Sequence, residues 1–518
     1  MLCRAALSGA GILLFSFGAC AQDTPAASTP ASNDTAIHDL QDQIRQLRSL
    51  VDEMRAENAQ SRAEMHQLRQ DLQATRAMLE KPAAAPEATA QAALPTGAPS
   101  SQTAPATTAL EERVQKLEDS TSLINSKIDE QYQTKVETAS KYRARLHGIV
   151  LMNAFRNIGG SDNFDLPNIS TPISGSTPVA TLGATLRQSE VGIEVFGPNV
   201  FGAKTSADVQ MDFAGGFSDI GNAVNFGLVR LQTASMRMDW EHTSVVAGQD
   251  ALFISPLSPT SFASLATPAF AFAGNLWGWT PQLRVEHRFA VSDQQTITMQ
   301  AGLMDNLDWG YPQNQYFRSP QSGELSGQPA YAFRTAWSRP VQQHSLSFGV
   351  AGYYGRQDWT WDRYVDAWAG MADWQIPILP RLGLSGEFYR GRGIGGLGGA
   401  IGRSVVYAGA PNLGTTPIRG LDSEGGWAQL KLQITPKIEI NGVFAMDDAF
   451  PGDVRGFAID ANNFGPIIGK NRGTLGNIVF RPKSDLVLAA ELRRLRTFPV
   501  YSESSVTNQA SVSMGILF

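Results

Sequence analysis

Hydrophobic residues recur along this chain with two different periods. From Ile37 to Leu79 they fall at alternating steps of three and four, through Ile37, Leu40, Ile44, Leu47, Val51, Met54, Asn58, Ser61, Met65, Leu68, Leu72, Thr75 and Leu79. Such steps, sustained over six heptads, draw one stripe along a helix, with residues 37, 44 and 51 at position a and 40, 47 and 54 at d. That is the pattern of a coiled coil. At the helical rise it predicts a rod of roughly 65 Å. The polar pair Asn58 and Ser61 interrupts the seam, where it weakens packing but helps to fix the register. A second, shorter heptad runs through Leu110, Val114, Leu117, Thr121, Ile124 and Ile128.

After Tyr142 the period becomes two. In Asn508 to Phe518, Ala510, Val512, Met514, Ile516 and Phe518 share one face, and Gln509, Ser511, Ser513 and Gly515 share the other. The sharpest alternation is Ala203 to Phe213, where Ala203, Thr205, Ala207, Val209, Met211 and Phe213 oppose Lys204, Ser206, Asp208, Gln210 and Asp212. In Pro281 to Phe289, Leu283, Val285, His287 and Phe289 oppose Gln282, Arg284, Glu286 and Arg288. Each has the two unlike faces of a strand.

Short turns near residues 197–202, 241–243, 290–294, 339–343, 375–381, 435–437 and 481–485 alternate with longer polar or Gly-rich stretches. These longer stretches lie near 157–183, 214–227, 250–280, 305–328, 356–362, 391–423, 448–470 and 497–507. Seven turns and eight loops join sixteen strands. An even number of strands, with short turns on one side and long loops on the other, predicts an all-β fold: a 16-stranded antiparallel transmembrane β-barrel with both ends in the periplasm. A barrel of that size is wide enough for an aqueous channel.

Composition sharpens this picture. The 518 residues are 42% hydrophobic, and outside the leader no apolar run is long enough for a membrane-spanning helix. Mean hydropathy is −0.17. A spanning protein of this composition has to be a barrel, in which only alternate residues meet lipid. Arg4, the apolar run Ala5 to Phe17 and the small-residue segment Gly18 to Ala21 predict a secretory signal peptide over residues 1–21. Ala19-x-Ala21 favours cleavage before Gln22, while Gly18-Ala19-Cys20 offers the alternative of a lipoprotein box, which Phe17 fits poorly. The only cysteines are Cys3 and Cys20, so a chain cleaved before Gln22 has no thiol for a disulfide, zinc or nucleophilic chemistry. Residues 1–141 hold 13 basic and 18 acidic residues and the remainder 29 and 30, neither part basic enough to suggest nucleic acid.

The expected order is therefore a signal peptide (1–21), a linker (22–36), a coiled coil (37–80) and an Ala/Pro/Thr-rich extended linker (81–109). A second short coiled-coil helix (110–141) and the barrel (142–518) follow. Both helices need partner chains to bury their seams, so the sequence itself asks for a homo-oligomer. Ile and Val at a with Leu at d lean towards two strands.

Several stretches resemble outer-membrane porins of the DcaP-like and related phosphate-porin type. These are Leu228-Val229-Arg230-Leu231-Gln232-Thr233-Ala234, Val246-Ala247-Gly248-Gln249-Asp250, Leu384-Ser385-Gly386-Glu387-Phe388-Tyr389-Arg390-Gly391, and Asn477 to Glu491. The ending on Phe518, with apolar residues two and four positions upstream, is similar to the closing strand of such barrels, and an exported coiled coil ahead of the barrel is similar to the DcaP-like members. The resemblance implies an outer-membrane location with the N-terminal region in the periplasm, a trimer, and a third loop folded into the barrel. Lipid and lipopolysaccharide are the implied surroundings.

In the register of the two sharpest strands the polar rows face the lumen. Lys204, Arg284 and Arg288 then line the channel with Asp208, Asp212 and Glu286, and Arg230 and Arg334 join them. The arginines form either a ladder that draws anions through the pore or a wall neutralised by Asp208, Asp212, Glu286, Glu387 and Glu491. The third loop, residues 250–280, is long and apolar, with Phe253, Phe262, Phe270, Trp277 and Trp279 and with Asp250 as its only charge. One reading makes it a constriction whose apolar edge faces the arginines, suited to small organic anions. The other makes it filler against the wall or a neighbouring subunit.

Gly391 to Gly396 matches G-x-G-x-x-G, but no amphipathic helix follows, so it is read as a mobile surface loop and not a nucleotide site. Asp162, Asn163 and Asp165 could hold a cation but are ordinary turn residues. No histidine has an evident serine and acid partner, so no enzyme, cofactor or metal is expected. The function read from the sequence is a diffusion porin for small hydrophilic or amphiphilic solutes. The alternative is an envelope tether, with the barrel as anchor and the rod touching peptidoglycan.

Overall fold

The computed structural model describes residues 135–136 and 143–518, apart from 174, 176–178, 218–226, 309–317, 342–343, 456, 458–462 and 464. The expected leader, rod and Ala/Pro/Thr-rich linker lie outside these residues. Sixteen strands close into one antiparallel barrel, with a single strand interrupted midway. They are β1 (Arg143–Ile158), β2 (Ala180–Thr185 and Glu190–Phe196), β3 (Lys204–Asp212), β4 (Arg230–Asp239), β5 (Thr243–Ala251) and β6 (Trp279–Ser292). Next come β7 (Gln295–Met304), β8 (Ala330–Val341), β9 (His344–Asp358), β10 (Tyr364–Leu379) and β11 (Leu382–Arg392). The last five are β12 (Asp422–Thr435), β13 (Ile438–Ala449), β14 (Ile468–Lys483), β15 (Leu486–Pro499) and β16 (Ser505–Leu517).

Closure is made by β16 pairing with β1 from Ile149↔Leu517 to Ile158↔Asn508. At the seam, Phe518 and Gly148 exchange both backbone hydrogen bonds, at 3.0 and 3.1 Å. Below that point β1 outruns its partner, and Lys135–Val136 pair with Arg145 and Ala144 along the vacated edge. This short strand falls within the range expected to be helical, 110–141; the rest of the second heptad lies outside the described residues.

Every expected turn and loop marks a junction between two strands, although β10 runs on to Leu379, through most of the turn expected at 375–381, and β2 begins at Ala180, inside the loop expected at 157–183. Alternation explains the two faces. On β16, Gln509, Ser511 and Ser513 are buried towards the inside, while Val512, Met514 and Ile516 stand more than half exposed on the outside. A belt of such residues satisfies hydrocarbon, and the ladder leaves no backbone edge for it to meet.

The break in β2 has a local cause. Ser189 replaces the missing ladder bonds: its hydroxyl accepts from the Leu151 N–H at 3.0 Å and donates to the Leu151 carbonyl at 3.3 Å. The interruption turns the side chain of Gln188 inward, where it is fully buried.

At the long-loop end, the loops pack on one another. Trp359, Val365, Val405 and Tyr407 form one cluster, and Val406, Val454 and Ile467 another. The Gly391 to Gly396 stretch belongs to this packed layer and is not the free surface loop expected. A Cβ on Gly396 would lie 1.9 Å from the Leu307 carbonyl oxygen, and one on Gly395 2.5 Å from the backbone of Arg403. These glycines are there because backbones meet.

Candidate channel and its inward loop

The loop joining β5 to β6, residues 252–278, folds inside the barrel. Asp250 belongs to β5, and Trp279 and Thr280 belong to β6, so the loop is shorter at both ends than its sequence suggested. It crosses the lumen and lies along the opposite wall. Leu252, Phe253, Ile254 and Leu276 pack on the small inward residues of β8 to β10, among them Ala332, Ala351, Ala367 and Ala369. Ala269, Phe270 and Ala273 pack on Trp427, Val443, Ala445, Leu475 and Leu495 of β12 to β15. Phe262 and Leu265 reach Leu151, Val479 and Val487.

Close approach is possible because the wall lacks side chains where the loop needs room. A Cβ on Gly473 would sit 2.1 Å from the Phe270 ring. Phe270 itself has a φ of +64°, a conformation costing a bulky residue about 1–3 kcal/mol and kept only when surroundings enforce it. Gly274, at φ +102°, brings its own backbone against that of Gly426 and Met446.

Polar side chains of the wall then hold the loop backbone. Glu387 accepts from the Ser255 hydroxyl at 2.5 Å and from the Leu257 N–H at 2.7 Å. Gln429 accepts from the Thr260 N–H at 2.7 Å, and Asn477 donates to the Thr260 carbonyl at 2.7 Å. Ser261 donates to Glu491 at 2.6 Å, and Arg493 donates to Ser264 at 2.6 Å. On the far side, Gln188 donates to the Ala263 carbonyl at 3.0 Å and accepts from the Leu265 N–H at 2.8 Å. Asn471 donates to the Phe272 carbonyl at 2.8 Å. A loop inside a barrel cannot leave its polar backbone unmet, and this row of amides and carboxylates meets it.

The inward row of β1 to β6 is different, being charged, with Asp212, Arg284 and Glu286 buried and the members towards the short turns uncovered. Arg237 lies 2.8 Å from Asp239 and 3.1 Å from Glu286, and Arg288 lies 3.8 Å from the same Glu286. His147 faces Asp208 at 2.9 Å, and Arg145 pairs with Glu194. The side chains of Arg145, His147, Asp208, Arg237, Asp239 and Arg288 keep between 33% and 39% of their exposure, so open space lies beside them.

The residues picked from the sequence are placed as follows. Arg230 pairs with Asp212 at 2.5 Å and lies over the Trp279 ring at 4.9 Å. Arg284 pairs with Asp250 at 2.8 Å, lies 3.4 Å from Glu286 and sits 5.7 Å from the Phe253 ring. Arg334 and Asp373 form a bidentate pair at 3.0 and 2.8 Å, in space left by Gly349. Lys204 is exposed on the inward row and stands opposite Asp239, which Arg237 occupies.

Among the loop residues, Phe253 and Phe270 are buried in the wall, Phe262 is half-buried beneath Arg481, and Trp277 stands edge-on to Trp279 with ring centres 5.5 Å apart. Phe262 and Phe270 are thus turned onto the wall, because so much apolar area does not stay in water, while Trp279 and Phe253 lie against Arg230 and Arg284. Of the neutralising partners expected, Asp212 and Glu286 serve these arginines, whereas Asp208 faces His147, Glu387 holds the loop, and Glu491 holds the loop while pairing with Arg493. Asp250 and Asp373 take part in their place.

Sequence reasoning missed Arg237, Gln188 and Arg493. The signal for two of them was present: Arg237 and Asp239, like Glu491 and Arg493, are opposite charges two apart on one strand face, as Arg284 and Glu286 are. Outside the strands, Asp165 is held by Arg187 at 2.6 Å, and Asp162 accepts from the N–H groups of Asn168 and Ile169, which makes them turn and pairing residues.

No protein-family model matches this chain, and no curated protein does either. Among solved structures, the outer membrane channel DcaP of Acinetobacter baumannii superposes with a TM-score of 0.57 at 15% identity, covering 74% of this chain and 99% of that one. An anion-selective porin from Comamonas acidovorans matches with a TM-score of 0.43 at 13% identity, over 73% of this chain and 100% of that one, a likeness too slight to carry an argument. The fold expected from the sequence resemblance, that of a DcaP-like outer-membrane porin, is the fold this chain has.

Proposed function

We propose that the barrel is an outer-membrane channel through which small hydrophilic or amphiphilic solutes diffuse passively. The observation that carries this is the division of the lumen. The inward loop is packed mainly on the wall of β8 to β15, and although Arg230 reaches its Ala266 carbonyl, the charges of the other side that lie towards the short turns, Asp208, Arg237, Asp239 and Arg288, stay accessible beside it. A barrel that served only as an anchor would have no use for solvated charges along one side. Recording the protein in a planar bilayer tests the reading: stable ohmic steps are expected, and a sealed membrane would refute it.

The preference for small organic anions is the finer part. The arginine row supports it, but each of Arg230, Arg237, Arg284, Arg288 and Arg334 already faces a carboxylate. Paired charges present local dipoles and little net field, so the preference expected is weak, resting on Lys204. A reversal potential measured across a salt gradient decides it, and cation preference removes it. The tether alternative rests on the heptads alone, which lie outside the described residues.

A further inference from the structure

Near the long-loop rim, four outward side chains on neighbouring strands are arginines. Arg472 of β14 stands directly opposite Arg496 of β15 in the ladder. Arg494 is two residues along β15, and Arg156 of β1 lies across β16, opposite Ala510. None of the four has a carboxylate partner among the described residues. Arg472 and Arg496 share the Phe498 ring at 5.2 and 4.8 Å, and Arg496 also donates to the Ser504 hydroxyl at 3.0 Å.

Two like charges directly opposite on one sheet face repel, and arginine facing lipid is costly unless it reaches a polar layer. Other strand-borne charges at this rim are matched: Arg356 with Asp366, Arg392 with Asp422, Arg390 with Glu424 and Lys470 with Asp448. Since those carboxylates are occupied, a second copy of this chain offers no evident complement from its strands. Directly beneath the arginines the surface is apolar, with Leu492 at 69%, Val512 at 62% and Met514 at 54% exposure.

We propose that this patch binds a phosphate-bearing lipid of the outer leaflet. The phosphate lies among Arg472, Arg494 and Arg496, and the acyl chains lie on Leu492, Val512 and Met514. Guanidinium groups bind phosphate through paired, charge-assisted hydrogen bonds, and the shared anion relieves the repulsion between the facing arginines. The site rests on the reading of the barrel as an outer-membrane protein, but it is independent of the lumen.

The test is native mass spectrometry of the full chain in detergent with added bisphosphorylated lipid A, its fully dephosphorylated form, or inorganic phosphate. The double variant R472Q/R496Q and the single variant R494Q are compared with R356Q, an outward arginine that has its own carboxylate. Retention of the phosphorylated lipid should fall about tenfold in the double variant, less in R494Q and not in R356Q. Equal retention by all variants, or of the dephosphorylated lipid, overturns the proposal. So does displacement of the lipid by inorganic phosphate alone, or a changed number of copies with lipid retention intact. Bilayer conductance should be the same in every variant, so a failure of the lipid site and a failure of the channel reading cannot be confused.

Discussion

The inner surface of this barrel has two halves that differ in what their inward residues are for. On β8 to β15 the loop covers a wall of small and apolar residues such as Ala332, Ala351, Ala369, Val443 and Leu475, interspersed with Glu387, Gln429, Asn477 and the Glu491–Arg493 pair, and only towards the short turns does this wall carry uncovered charges, Lys431 and Arg481 about Glu439. On β2 to β6 they include carboxylates and arginines that pair with one another; Asp212, Arg284 and Glu286 are buried, while Asp208, Arg237, Asp239 and Arg288, nearer the short turns, stay wet. The first half is a protein core that happens to lie inside a barrel. The second, towards the short turns, is a solvated surface. Substitutions on the two should therefore be read out differently, as stability in one case and as ion selectivity in the other.

The largest effect is expected at Arg493. It and Glu491 are each only 2% exposed and 2.7 Å apart, and both also hold the loop through Ser261 and Ser264. Arg493→Ala leaves a buried carboxylate with no cation, which costs about 3–5 kcal/mol. Urea unfolding in detergent should show a clear drop in midpoint. A variant as stable as the parent would mean that the covered half is not a core.

Glu387→Ala comes next. It removes the acceptor of two loop hydrogen bonds, from Ser255 and Leu257, each worth about 0.5–1.5 kcal/mol. The expected result is a smaller loss of stability than for Arg493→Ala, together with noisier single-channel current as the start of the loop works loose. Quiet current at parental stability would show that the apolar contacts of Leu252 to Ile254 hold the loop unaided.

The same division explains what could be read from the sequence. Ala203 to Phe213 and Pro281 to Phe289, the two sharpest alternations, both belong to the uncovered half, where inward means charged and outward means apolar. On β10 the inward Val365, Ala367, Ala369 and Met371 face a loop, while the outward row carries Trp368 and Ala372, so both faces are apolar and the period of two fades. Strand count and turn positions survived this because they depend on Gly, Pro and polar punctuation, which the covered half keeps. Ion-pair partners were harder. Arg334 meets Asp373 across two strands and nearly 40 residues of chain, and nothing local announces that pairing.

The smallest structural disturbance, and the sharpest check on the wet half, is Lys204→Glu. Lys204 is exposed, forms no ion pair among the described residues and stands opposite Asp239 in the ladder. An exposed site of this kind changes stability by no more than about 0.5 kcal/mol. The substitution nevertheless reverses the one inward charge of the row that no carboxylate balances, beside an aspartate already shared with Arg237. Ions passing along β2 to β6 would feel that change directly, so the reversal potential in a salt gradient should move towards cation preference while the unfolding midpoint stays put. If instead the midpoint moved and the reversal potential did not, permeating ions would have to travel elsewhere in the lumen, and the distinction between a dry half and a conducting half would fail.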